Sequence, residues 1–189
     1  MSEKPILFSA PMVQALLDGT KTQTRRVIKP QPGADGIADP SPPYLRQWID
    51  ANGSTYRCPY DAESLWVKET HLPKASGVIY RADFSEIDAA GTGAMYGGWK
   101  PSIFMRRIYS RITLEIVSIR AERLQDISEG DALAEGVAVG PVALWKNAVP
   151  GKRVTARDAY AELWESINGK GSWALNPWVW AISFRRVKP

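Results

Sequence analysis

Residues 19–26 read Gly-Thr-Lys-Thr-Gln-Thr-Arg-Arg. This stretch supplies an amine (Lys21), two hydroxyls (Thr22, Thr24) and a guanidinium pair (Arg25, Arg26). A desolvated amine can act as a general base, a threonine hydroxyl or a water as the nucleophile, and a guanidinium can hold an oxyanion or a phosphate. The set suits activation of a hydroxyl or water beside an anionic, nucleotide-like ligand. The competing reading is a solvated surface turn, which composition alone would favour. Lys21 and Thr24 are three positions apart, so a regular strand points them to opposite faces. They converge only where the backbone after Gly19 is irregular, which a glycine permits.

Glu135 is the acidic residue singled out from the rest of the chain. It falls in the last turn of a helix expected over 128–135, where the helix dipole disfavours a carboxylate by roughly 0.3–1 kcal/mol. A carboxylate there is suited to face a cation, and Lys21 is a candidate, since such a pair can relay a proton with neither partner left alone. A solvated surface glutamate is the alternative. Lys68 and Glu69 follow Trp66-Val67 on an expected strand. They point to opposite faces, and either lines a cleft or is cross-strand surface charge. Arg106, Arg107 and Arg111 follow Trp99-Lys100-Pro101-Ser102. A base stacked on Trp99 with its phosphate on an arginine is one reading, and an ordinary basic loop is the other. Arg185 and Arg186 are solvated or form a weak phosphate rim.

Composition narrows the chemistry. The chain has 189 residues, 44% hydrophobic, with a formal net charge of +4 and eight tryptophans. That length supports one compact domain, and the basic balance is compatible with a nucleotide or nucleic-acid partner without requiring one. Cys58 is the single cysteine and His71 the single histidine. An internal disulfide, a Cys-x-x-Cys zinc site and a two-histidine metal site are therefore excluded. His71 follows a strand-like run and reads as a strand-end residue rather than a catalyst. No apolar run approaches the ~18 residues of a membrane span and the N-terminus lacks a signal-peptide core, so a soluble, cytoplasmic protein without membrane contact is expected.

The elements that must position these residues follow from local patterns. Residues 6–8 read as a strand, and Ser9 and Pro11 open a helix with Met12, Ala15 and Leu16 on one face. Gly19 ends it in the left-handed cap position, and 22–28 forms the next strand. Residues 30–43 carry five of the fourteen prolines and form a surface loop. Asn52-Gly53 turns a hairpin between 44–49 and 54–57. Strands are expected over 65–70, 78–81, 112–119 and 177–186, with an irregular glycine-rich excursion over 85–100 around Met95-Tyr96. Ser128 and Gly136 bound one late helix. Thr155 and Gly169 bound another, with Tyr160, Leu163, Trp164 and Ile167 along one face. Many strands, about three short helices and no βαβ alternation predict an α+β fold, a small mixed β-barrel.

The pattern Gly19-x-Lys21-Thr22-x-Thr24-x-Arg26 after a short helix resembles the signature of the ASCH family, whose domains are similar to PUA domains. The run 124–136, with a strand exit, a short helix and an acidic end, resembles the family too, as does the closing strand over 178–184. The layout is also similar to the longer ASCH proteins common in phages and prophages. The resemblance implies a single PUA-like domain over 1–189, a small barrel with a cleft, carrying long loop insertions at about 30–60 and 85–110.

Small bacterial ASCH enzymes are amidohydrolases that deacetylate N(4)-acetylcytidine. Carried over by motif, the resemblance assigns catalysis to Lys21, Thr24 and Glu135, without metal or cofactor. Substrate contacts are then expected from Thr22, Arg26, Lys68, Glu69, Trp99, Arg107 and Arg111. Partners are a nucleoside, a modified base or RNA, in the cytoplasm of a bacterial or phage-infected cell. The alternatives are an ASCH/PUA-like module that binds RNA or modified bases without turnover, and a ribonuclease. The insertions have no counterpart in the compact enzymes and would reshape or cover the cleft.

Overall fold

The structure is a computed structural model that describes residues 2–33, 36–38, 48–85, 88, 91–92, 97–137 and 155–187. The expected strand over 44–49 lies outside them in its first four residues, as does Met95-Tyr96. The fold is α+β, built on β-sheet, with three α-helices among the described residues. The described residues group into two compact units: Met1–Gly19 with Tyr60–Val117 and Phe184–Pro189, and Thr20–Pro59 with Ser118–Ser183.

In the first unit, β1 (Glu3–Leu7) pairs in parallel with β6 (Ser64–Lys68), which pairs antiparallel with the start of β9 (Thr113–Arg123). Helix α1 (Ala10–Leu17) buries Val13 and Leu16. Its C-cap is Asp18, and Gly19 follows at φ +77°, a left-handed conformation that any side chain would strain. β7 (His71–Lys74) and β8 (Gly77–Tyr80) form a hairpin. Short 3-10 turns over Ser102–Phe104 and Arg107–Tyr109 carry the chain on to β9.

In the second unit, β2 (Gln23–Val27) pairs antiparallel with β10 (Trp178–Val187), with Thr24 opposite Ile182 and Arg25 opposite Ala181. Within this unit the strand order is β9-β10-β2, through the later part of β9. A second sheet joins β3 (Ile37–Ala38), β4 (Trp48–Asp50) and β5 (Thr55–Tyr56). The β4–β5 turn is the Asn52-Gly53 turn, with Gly53 at φ +80° and the Asp50 carboxylate accepting from the Asn52 and Ser54 amides. Helix α2 (Glu129–Ala134) starts on a Ser128 cap, and α3 (Ala156–Asn168) on a Thr155–Asp158 capping box. Leu124, Ile127, Ala132, Ala156, Tyr160, Trp164 and Val179 pack into the core around them. No helix among the described residues is long and apolar enough to cross a membrane.

Candidate functional site

The chain leaves α1 at Gly19 and meets α2 before β2 begins. Lys21 forms an isolated antiparallel bridge with Glu135, and the Thr22 amide donates to Ala134 O at 2.7 Å. Ala134 and Glu135 end α2, where carbonyls lack intrahelical donors. Lys21 Nζ donates to Glu135 O at 2.8 Å and to Glu135 Oε2 at 2.7 Å. One ammonium thus satisfies a helix-end carbonyl, offsets the unfavourable end of the dipole and neutralises the carboxylate. Lys21, Arg25 and Glu135 are 2%, 3% and 4% exposed.

Strand alternation then builds the rest. Gln23 and Arg25 share a face of β2. Arg25 Nη1 donates to Glu135 Oε1 at 3.2 Å and to Gln23 Oε1 at 2.6 Å. Its Nε and Nη2 fork onto Glu122 Oε1 at 2.9 and 2.6 Å, and Nη2 lies 3.4 Å from Asp131 Oδ2. Arg120 bridges Glu122 and Asp131 from the rim at 3.3 and 3.2 Å. Gln23 Nε2 donates to Asp131 Oδ1 at 3.1 Å and Ser183 Oγ at 3.0 Å. From α3, Tyr160 sets its ring 5.8 Å from the Arg25 guanidinium.

Burial pulls the Lys21 ammonium below its ordinary range; Glu135 opposes that shift, and Arg26 and Arg25 add to it. For Arg25 burial works downward, but Glu135 and Glu122 outweigh it and the guanidinium is raised. The Tyr160 phenol is pushed well above its ordinary value, by burial first and then by the Glu135 charge.

Thr24 is buried and, by alternation, lies on the opposite face of β2 from Gln23 and Arg25. Arg26 pairs opposite Trp180, and Thr22 is exposed with its amide held by Ala134.

Lys68, Glu69, Trp99, Arg107 and Arg111 all belong to the first unit, whereas Lys21, Thr24 and Glu135 belong to the second. Glu69 is not surface charge. It is 1% exposed and accepts both forks of Arg111, at 2.9 and 3.0 Å. The surface reading failed because the Arg111 guanidinium, 42 positions away, lets a strand-end carboxylate be buried. Arg111 also forks onto Asp83 at 2.9 and 2.7 Å and stacks 3.9 Å over Tyr80. Lys68 donates to Ile103 O, Arg107 pairs with Glu3 at 3.0 and 3.1 Å, and Trp99 meets Phe84 edge-on at 5.9 Å. His71 begins β7, buried, with Nδ1 3.1 Å from Glu69 O. A cavity of about 360 Å³ in this unit is lined by Gln14, Arg81, Asp83 and Phe84 among others, and none of the motif residues lines it.

Gln23, Glu122, Asp131 and Tyr160 join the site without having been singled out by the sequence as site residues. The spacing of Lys21, Gln23 and Arg25, every second residue, was the available signal for a shared polar face. Glu122 and Asp131 carried no such signal, because their place depends on how β9 and α2 meet β2. Among the described residues no three histidine, cysteine, aspartate or glutamate side chains are grouped to hold a metal ion. Comparison of the chain with family models, curated proteins and solved structures gives no match.

Proposed function

We propose that this protein is a metal-independent amidohydrolase that removes the acyl group from an acylated nucleoside or base, with N(4)-acetylcytidine as the representative substrate. The observation that carries the reading is the buried contact of Lys21 with Glu135 at 2.7 Å, inside the motif and with the ammonium pulled below its ordinary range by burial. Desolvation is how an amine becomes a usable base nearer neutrality. The ASCH resemblance supplies the substrate class, and in this reading the sheet containing β2 and β10 is part of a PUA-like barrel.

Neutral Lys21 takes a proton from a water. The oxygen adds to the acyl carbon, and the carbonyl oxygen becomes an oxyanion held by an arginine or a backbone N–H. Collapse breaks the C–N bond, and the departing amine takes the proton back from Lys21. With water as nucleophile the products are the free amine and the carboxylic acid. Glu135 holds Lys21 in place throughout.

The test is incubation of the purified protein with N(4)-acetylcytidine, following acetate and cytidine. Release is expected with or without a chelator, and Lys21→Ala abolishes it. Tight binding of modified bases or RNA without hydrolysis, weakened by Lys21→Ala, would replace the enzyme by a binding module.

A further inference from the structure

We infer that Arg25, which is not the arginine of the motif, is a positioning residue: it holds one oxygen of Glu135, turns the other toward Lys21, and stays as the permanent cation beside that carboxylate when Lys21 is neutral. The inference deepens the amidohydrolase reading and rests on it for the use made of the proton. Its geometry does not.

The Arg25 side chain is fully enclosed, and acceptors from three elements fix it: Gln23 on β2, Glu122 on β9, and Asp131 with the α2-capping Glu135. Such a fork has little freedom to turn. The two oxygens of Glu135 are divided, Oε1 to Arg25 and Oε2 to Lys21. In an isolated buried Lys–Glu pair each group holds the other charged, and loss of the lysine proton strands a carboxylate in a dry site. Here Glu135 has a second cation that cannot lose its charge, so a neutral Lys21 leaves no unpaired anion. The same cation weakens the hold of Glu135 on the Lys21 proton. Among the described residues, the charged groups that act most on Lys21 are Glu135 at the end of α2 and Arg26 and Arg25 on β2, and each arginine disfavours the ammonium. Tyr160, from α3, faces the same carboxylate.

The experiment titrates the lysine ammonium nitrogens of the full chain by nitrogen-15 NMR, with Lys21 assigned by its loss in Lys21→Met, and compares Arg25→Gln and Arg25→Lys with the parent. Removing one cation at this range raises the Lys21 midpoint by about one pH unit. Arg25→Lys, which keeps the charge, stays nearer the parent. If Arg25→Gln does not fold, Arg25→Gln/Glu122→Gln removes one cation and one anion together and gives an upward shift of smaller size, since Arg25 touches the Lys21 counter-ion directly and Glu122 does not. The kcat/KM profile for N(4)-acetylcytidine moves its acid limb upward by the same amount, and activity returns at high pH, which structural damage would not produce. An unchanged Lys21 midpoint in a folded Arg25→Gln or double variant overturns the inference. A shifted midpoint in a protein with no hydrolysis upholds the positioning role and overturns the amidohydrolase reading instead.

Discussion

Trp48 meets Trp180 edge to face, with ring centroids 4.5 Å apart, so a residue that follows the proline-rich stretch packs against the closing strand β10. Both rings are almost wholly buried. The segment around Trp48 therefore contributes core to the second unit. Trp48→Ala is expected to destabilise the protein by about 3–5 kcal/mol, read by urea denaturation. A cost below ~1 kcal/mol would mean the segment around Trp48 is dispensable to that core.

Removing Glu135 takes the counter-ion from the buried Lys21 ammonium, whereas removing Lys21 leaves Glu135 still held by Arg25. Glu135→Ala is expected to cost about 3–5 kcal/mol and Lys21→Ala less, while Lys21→Met/Glu135→Leu regains most of the Glu135→Ala loss. Hydrolysis stays absent in all three. Recovery of activity in the double variant would exclude the pair from the chemistry.

Burial lowers Lys21, so the folded state binds fewer protons there than the unfolded chain between the lowered value and the ordinary 10.5. Stability linked to this residue rises with pH across that window. Hydrolysis needs the neutral amine, so kcat/KM also rises with pH through the lowered Lys21 value. A rate that falls with pH there would refute Lys21 as the base.

Tyr160 has the opposite sign. Its folded value lies well above the ordinary 10.0, so the stability it contributes is present below that pH and lost as pH climbs above it. Spectrophotometric titration should find one phenol that ionises only as the protein unfolds, and Tyr160→Phe should remove that late step.

Glu69 is raised above 4.5, by burial first, with Arg111 pulling it back. Its neutral form is tolerated in the fold, so the stability linked to it is greatest below 4.5 and declines as pH rises through the folded value. Arg111→Ala is expected to cost about 3–5 kcal/mol at neutral pH and much less in acid, where Glu69 is protonated. Denaturation curves at the two pH values check this; an equal loss at both would refute it.

Local chemistry was legible in the chain. Ser128 and Thr155 cap their helices, Gly19 ends α1, and Asn52-Gly53 turns its hairpin. Each is decided by residues within a few positions. Lys21 and Glu135 were paired by residue type and by the motif. The parallel pairing of β1 with β6 was not legible, because Glu3 and Ser64 meet only after the whole intervening chain has been placed. Glu122 and Asp131 escaped for the same reason, and Glu69 looked like surface because its partner lies on a distant turn. Arg25 was noticed only as half of a guanidinium pair, although its acceptors distinguish it from Arg26.

The bridge between Lys21 and Glu135 closes a loop with 114 positions between its ends. Closure entropy grows slowly with length, but it must be met before a contact of such separation gives anything back. The contact is therefore a sensor of the order of the second unit. The Thr22 amide, locked onto Ala134 O, should exchange with solvent deuterium only through opening of the whole second unit. Its exchange rate would report how often, in the native protein, the machinery is taken apart.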